Sequence, residues 1–70
     1  MLVNMPGTVV SVERREFDGK VNEVMTLEVV DQVQFYMEPA DPRVKSFRES
    51  IGKTVTVPVS MGKNGKAYLA

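Results

Sequence analysis

The sequence predicts a mainly β fold, a small five-stranded barrel carrying one short helix, in a single domain over residues 1–70. Three observations predict it. Segments rich in valine and threonine alternate apolar and polar residues with a period of two. Glycine-containing turn signals separate most of those segments. A single stretch, "EPADPRVKSFRESIGK", breaks the alternation and carries helix start and stop signals instead.

The elements follow in order. "TVVSVERREF" (Thr8–Phe17) is rich in β-branched residues, and Val10 and Val12, two apart, are expected to point inward. "DGK" (Asp18–Lys20) is a hairpin signal, because glycine accepts positive φ without steric cost. In "VNEVMTLEVV" (Val21–Val30), Val21, Met25, Leu27 and Val29 share one face, with Asn22, Thr26 and Glu28 mostly on the other. "DQ" turns the chain into "VQFYM" (Val33–Met37), with Val33, Phe35 and Met37 inward. Asp41 then suits a helix N-cap, Pro42 the first helical position and Gly52 the stop. Val44, Phe47 and Ile51 form one apolar stripe on a helix of about ten residues, with Arg43, Lys45 and Arg48 off the stripe. "KTVTVPVSM" (Lys53–Met61) points Val55, Val57, Val59 and Met61 one way. Pro58 has no N–H for a ladder, which predicts a free edge or a bulge there. "GKNG" turns again, and "KAYLA" ends with Ala67 and Leu69 inward and Tyr68 outward.

The resulting order, β-β-β-α-β-β, is that of the OB-fold, a five-stranded, partly open Greek-key barrel whose helix plugs one end. An SH3-like barrel also has five short strands, but a single 3₁₀ turn usually precedes its last strand. A capped helix between strands three and four favours the OB-fold. The expected core is Val10, Val12, Leu27, Phe35, Phe47, Val55, Val57 and Leu69.

Composition narrows the function. The chain has neither cysteine nor histidine, so disulfides and the usual zinc ligands are excluded. Self-association is the remaining stabilising device for so short a chain, and a homodimer is expected. "MLVNMPG" is too short and uncharged for a signal peptide, no apolar run reaches the length of a membrane span, and a cytoplasmic location is expected. Within "MLVNMPG", Met1, Leu2, Val3 and Met5 show no alternation, which suggests an adhesive strand for a dimer or another partner. Without His or Cys, and with carboxylates spread over turns and outward positions, catalysis is not expected, nor is a cofactor, a metal or a small-molecule substrate. "GKNGK" lacks the Gly-Lys-Ser/Thr ending and the following helix of a phosphate-binding loop.

Net charge is zero but unevenly spread. Residues 1–42 hold three basic side chains against eight acidic, a charge of −5, and residues 43–70 hold six against one, a charge of +5. Such asymmetry suits a surface for polyanions, or the meeting of opposite charges within the fold. In an OB-fold, strands two and three and the loops after strands one and four form the usual nucleic-acid face. In or beside those places stand Arg14 and Arg15 at the end of strand one, Phe17 and Lys20 at the first hairpin, Tyr36 on strand three, Lys63 and Lys66 in the loop after strand four and Tyr68 on strand five, with Gln34 and Asn64 as further hydrogen-bonding groups. Basic groups attract phosphates and exposed rings stack on bases.

"GTVVSVERREFDGK", "SIGKTVTVPV" and "GKNGKAYLA" together resemble the small single-stranded DNA-binding, helix-destabilising proteins of filamentous phages. The resemblance spans most of the chain as a pattern of elements. It implies a cooperative homodimer that coats single strands, DNA during replication or alternatively RNA, and stacks bases on aromatic rings. The capped helix departs from the best-known of those proteins. A second expectation, from a different class, is a small β-barrel adaptor that binds other proteins through a strand edge or its apolar N-terminus.

Overall fold

The computed structural model describes residues 2–63 and 66–70. It is mainly β: β1 (Leu2–Phe17), β2 (Lys20–Glu28), β3 (Gln32–Met37), α1 (Arg43–Glu49), β4 (Thr54–Met61) and β5 (Ala67–Leu69). The strands form one antiparallel sheet in the order β3-β2-β1-β4-β5. The sheet curls until β3 lies against β5, giving a nearly closed OB-fold-like barrel.

β1 makes this curl possible. Its first half pairs with β4, from Leu2↔Ser60 to Thr8↔Thr54, and its second half pairs with β2, from Thr8↔Glu28 to Phe17↔Lys20. The strand therefore starts well before Thr8, and the first residues pair within the chain's own sheet. Val3 and Met5 alternate inward and pack against the core. At the change of partner, β1 passes so close to β2 that a Cβ on Gly7 would stand 2.7 Å from the Glu28 carbonyl oxygen. Just beyond, a bulge between Val9 and Ser11 adds one residue to β1. The extra residue reverses the inward phase. Val9 is fully buried, and Val10, expected in the core, is 40% exposed.

Asp18 and Gly19, at φ 52° and 74°, form the expected hairpin turn. β2 runs between β1 and β3, so side chains paired across both ladders flank its residues, and Glu23, Val24, Met25, Thr26 and Leu27 are all buried. Val21 and Val29, expected inward, are exposed: Val21 lies near the hairpin end and Val29 follows the strand's last residue.

The helix is shorter than expected. Pro42 occupies the N-cap position, while the Asp41 carboxylate one residue earlier accepts from the Arg43 N–H at 2.9 Å. The chain leaves the helix at Ser50, and Ile51 joins a parallel bridge with Val9, half exposed and off the helical stripe. The Gly52 N–H donates to the Val9 carbonyl at 2.8 Å, and the Val9 N–H donates to the Lys53 carbonyl at 3.1 Å. These bonds draw residues 51–53 into the barrel wall.

The core comprises Val9, Met25, Leu27, Phe35, Met37, Val44, Val57 and Val59. Val12, Phe47, Val55 and Leu69, also expected there, pack against it half-buried. Pro58 lies on neither an edge nor a described bulge, because β4 is flanked by β1 and β5. Its nitrogen faces β5, where the Ala70 N–H donates to the Pro58 carbonyl at 3.1 Å. Ala70 oxygen, which a regular strand residue at position 58 would engage, accepts from Arg43 Nη1 at 2.8 Å instead. No helix among the described residues is long and apolar enough to cross a membrane.

Candidate functional site

Directly paired residues of an antiparallel sheet project from the same face. Arg15 pairs with Asn22, Phe17 with Lys20, and Val24 with Tyr36, so the β1–β2 hairpin and the middle of β3 share an outward face. Two clefts open there. The smaller, of about 500 Å³, is lined by Arg15, Glu16, Phe17, Lys20, Asn22 and Tyr36. The larger, of about 840 Å³, follows the seam between β3 and β5. Its apolar lining comes from Met5, Val33, Met61, Ala67 and Leu69, and its polar lining includes Gln34, Tyr36, Arg43, Lys66 and Tyr68.

Tyr36 lines both clefts and so joins them into one surface. Three large rings stand in it against solvent: Phe17 at 77% exposure, Tyr36 at 61% and Tyr68 at 50%. Each leaves a sheet position whose neighbours along the strand turn the other way, which is how period two exposes an aromatic residue. Among the described residues, the basic side chains Arg15, Lys20, Arg43 and Lys66 line the two clefts, against the one carboxylate of Glu16.

Six of the eight expected site residues meet on this surface: Arg15, Phe17, Lys20, Tyr36, Lys66 and Tyr68. Lys63 is exposed but lines neither cleft, and Asn64 lies outside the described residues. Arg14 points the other way. After the bulge it shares the inward phase of Val12, and its Nε donates to Glu23 Oε1 at 3.0 Å. Arg48 Nη2 donates to Glu23 Oε2, also at 3.0 Å, so one buried carboxylate ties β1 and α1 to β2.

The uneven charge of the chain is partly absorbed within the fold. Among the described residues, Glu23–Arg48 and Asp41–Arg43 join the acidic part of the sequence to the basic part. Asp41 grips Arg43 through both carboxylate oxygens, Oδ2 lying 2.7 Å from Nη2 and Oδ1 3.0 Å from Nε. The Arg43 side-chain and backbone hydrogen bonds hold the Asp41 pKa down at about 2. Arg43 is in turn held more firmly protonated by Asp41. Arg15 makes only a loose, exposed contact with Glu13 at 3.4 Å. Among the described residues, no group of three or more acidic side chains converges to hold a metal ion.

Sequence reasoning missed the seam. Met5 belonged to an apparently unpatterned terminus, and Arg43 reads only as a helix residue off the apolar stripe. No local signal shows that β3 and β5 stop short of pairing. Compared with known proteins, the chain matches no family model, no curated protein and no solved structure.

Proposed function

We propose that this chain binds single-stranded nucleic acid, DNA in the first instance, along the surface of the two clefts. The observation that carries this reading is Tyr36, an exposed ring lining both clefts, with Phe17 on the far cleft and Tyr68 on the near one. Exposed rings on a rigid sheet cost apolar hydration unless something flat covers them, and every nucleobase offers a flat face. Arg15, Lys20 and Lys66 around those rings supply the positive potential that a phosphate backbone needs. The resemblance to helix-destabilising proteins supports the same reading and adds a homodimer to it.

Titration of a fluorescent oligo-dT at low and moderate salt tests the proposal. Tyr36→Ala should weaken binding by about 1–3 kcal/mol per base without changing the salt dependence. Lys20→Ala combined with Lys66→Ala should instead lower the slope of log affinity against log salt by about 1.4, or about 0.7 for each lost phosphate contact. A wild-type chain that binds no oligo-dT at low salt overturns the reading and leaves the adaptor role in its place.

A further inference from the structure

Register on the hairpin face sets its side chains in three rows that cross the strands. Phe17 pairs with Lys20 in the first, Arg15 with Asn22 in the second, and Glu13 with Val24 and Tyr36 in the third. Side chains on one face recur at every second residue, so successive rows stand about 6.6 Å apart along the strands. The middle row thus has Phe17 on one side and Tyr36 on the other, and Arg15, Asn22 and both rings line the cleft of about 500 Å³.

Arg15 and Asn22 supply the polar groups of that row. Asn22 is half-buried, and its amide makes no hydrogen bond among the described residues. Arg15 has only the 3.4 Å contact from Nη2 to Glu13, which leaves Nε and Nη1 unengaged among the described residues. Cβ atoms of directly paired residues lie about 4.5–5.5 Å apart, so the guanidinium and the amide can meet one ligand edge together. The row therefore offers an amide donor, an amide acceptor and, beside them, a guanidinium donor.

We propose that Arg15 and Asn22 read the edge of a pyrimidine base standing on their row, its faces turned toward Phe17 and Tyr36. Such readout presupposes the single-strand binding proposed above. Thymine presents O4, N3–H and O2 in sequence: Asn22 Nδ2 donates to O4, Oδ1 accepts from N3–H, and Arg15 donates to O2. With the amide turned over, cytosine presents N4–H, N3 and O2 to the same three groups. The corresponding edge of adenine ends in a C–H and that of guanine in an amino group, so either purine leaves one of the three unmatched. Carboxylates do not complete the row for guanine. Glu13 and Glu38 do not line this cleft, and Glu16 pairs with Val21, on the opposite face of the hairpin.

Two comparisons at low salt test the readout. Wild-type protein is titrated with oligo-dT and with an N3-methylthymidine oligomer of equal length, which keeps O2, O4 and both ring faces but offers no N3–H to Asn22. The methylated oligomer should bind about tenfold more weakly, the scale of one polar group left unpaired. Arg15→Ala is then titrated with oligo-dT and oligo-dA. Any lost phosphate contact weakens both oligomers alike, and the self-stacking of free oligo-dA is the same for wild type and variant. A preference for oligo-dT that falls about tenfold in Arg15→Ala therefore reports the bond to O2. Equal binding of the two thymidine oligomers by wild type, or an oligo-dT preference unchanged in Arg15→Ala, overturns the pyrimidine readout while the single-strand reading stands. Failure of wild type to bind oligo-dT overturns both. Arg15 is exposed and the first comparison needs no variant, so misfolding cannot excuse a negative result.

Discussion

Gly7 sits where β1 exchanges β4 for β2, and its missing side chain is what lets the strand pass. The nearest atom to an added Cβ is the Glu28 main-chain oxygen at 2.7 Å, followed by Leu27 Cγ at 2.8 Å. A carbonyl oxygen within a ladder cannot rotate aside as a flexible side chain can. Gly7→Ala should therefore destabilise the barrel by about 1–3 kcal/mol through overpacking, seen as a lower urea midpoint with an unchanged m-value. A midpoint equal to the wild type would show that β1 can shift there freely. Glu23 shows the opposite kind of constraint, a carboxylate 1% exposed and hydrogen-bonded by two arginines. Period two puts Glu23 on the same face as Val21 and Met25, but nothing local in the sequence shows that Arg14 and Arg48 would meet it there. Likewise, "VV" at positions 9 and 10 cannot reveal which valine faces the core. The bulge decides it, and a bulge depends on the partner strand.

At the scale of elements, the helix start was legible because its signals are local: Asp41 accepts hydrogen bonds, Pro42 presets φ, and Val44 is the first buried position. Its end was not. Gly52 does take φ 85°, but the bonds between Val9 and residues 52–53 pull Ile51 out of the helix and into the wall. A tertiary ladder overrides a helical period there. The bracket at the helix start has a pH signature. Asp41 has a native pKa of about 2, below its ordinary 3.8, so its contribution is complete above the ordinary value and is lost as pH falls toward 2. Melting temperatures of wild type and Asp41→Asn should therefore differ most above pH 5 and converge as pH falls to 2. A gap that stays constant across that range would mean that the Asp41 charge contributes nothing.

For the whole molecule, the succession of strands and the outward placement of Tyr36 and Tyr68 were legible from period two and the turn signals, whereas the seam depends on closure, which no single segment encodes. The same limit hid the role of the first residues. Leu2–Met5 pair with β4, and Val3 and Met5 pack on the core. Deleting residues 1–5 should thus cost at least about 3 kcal/mol from lost apolar burial and lower the melting temperature, rather than only weaken self-association. Sedimentation combined with thermal melting separates the two effects, and a truncated chain that melts like the wild type would contradict this packing. The double pairing of β1 also bears on the order in which the barrel is made. Its second half meets β2 across a two-residue turn, but Leu2 waits for Ser60. During synthesis the hairpin can close early, while Val3 and Met5 stay uncovered until β4 has emerged. The chain is thus most prone to adhere to other chains before it is finished, and completing β4 is the event that ends that exposure.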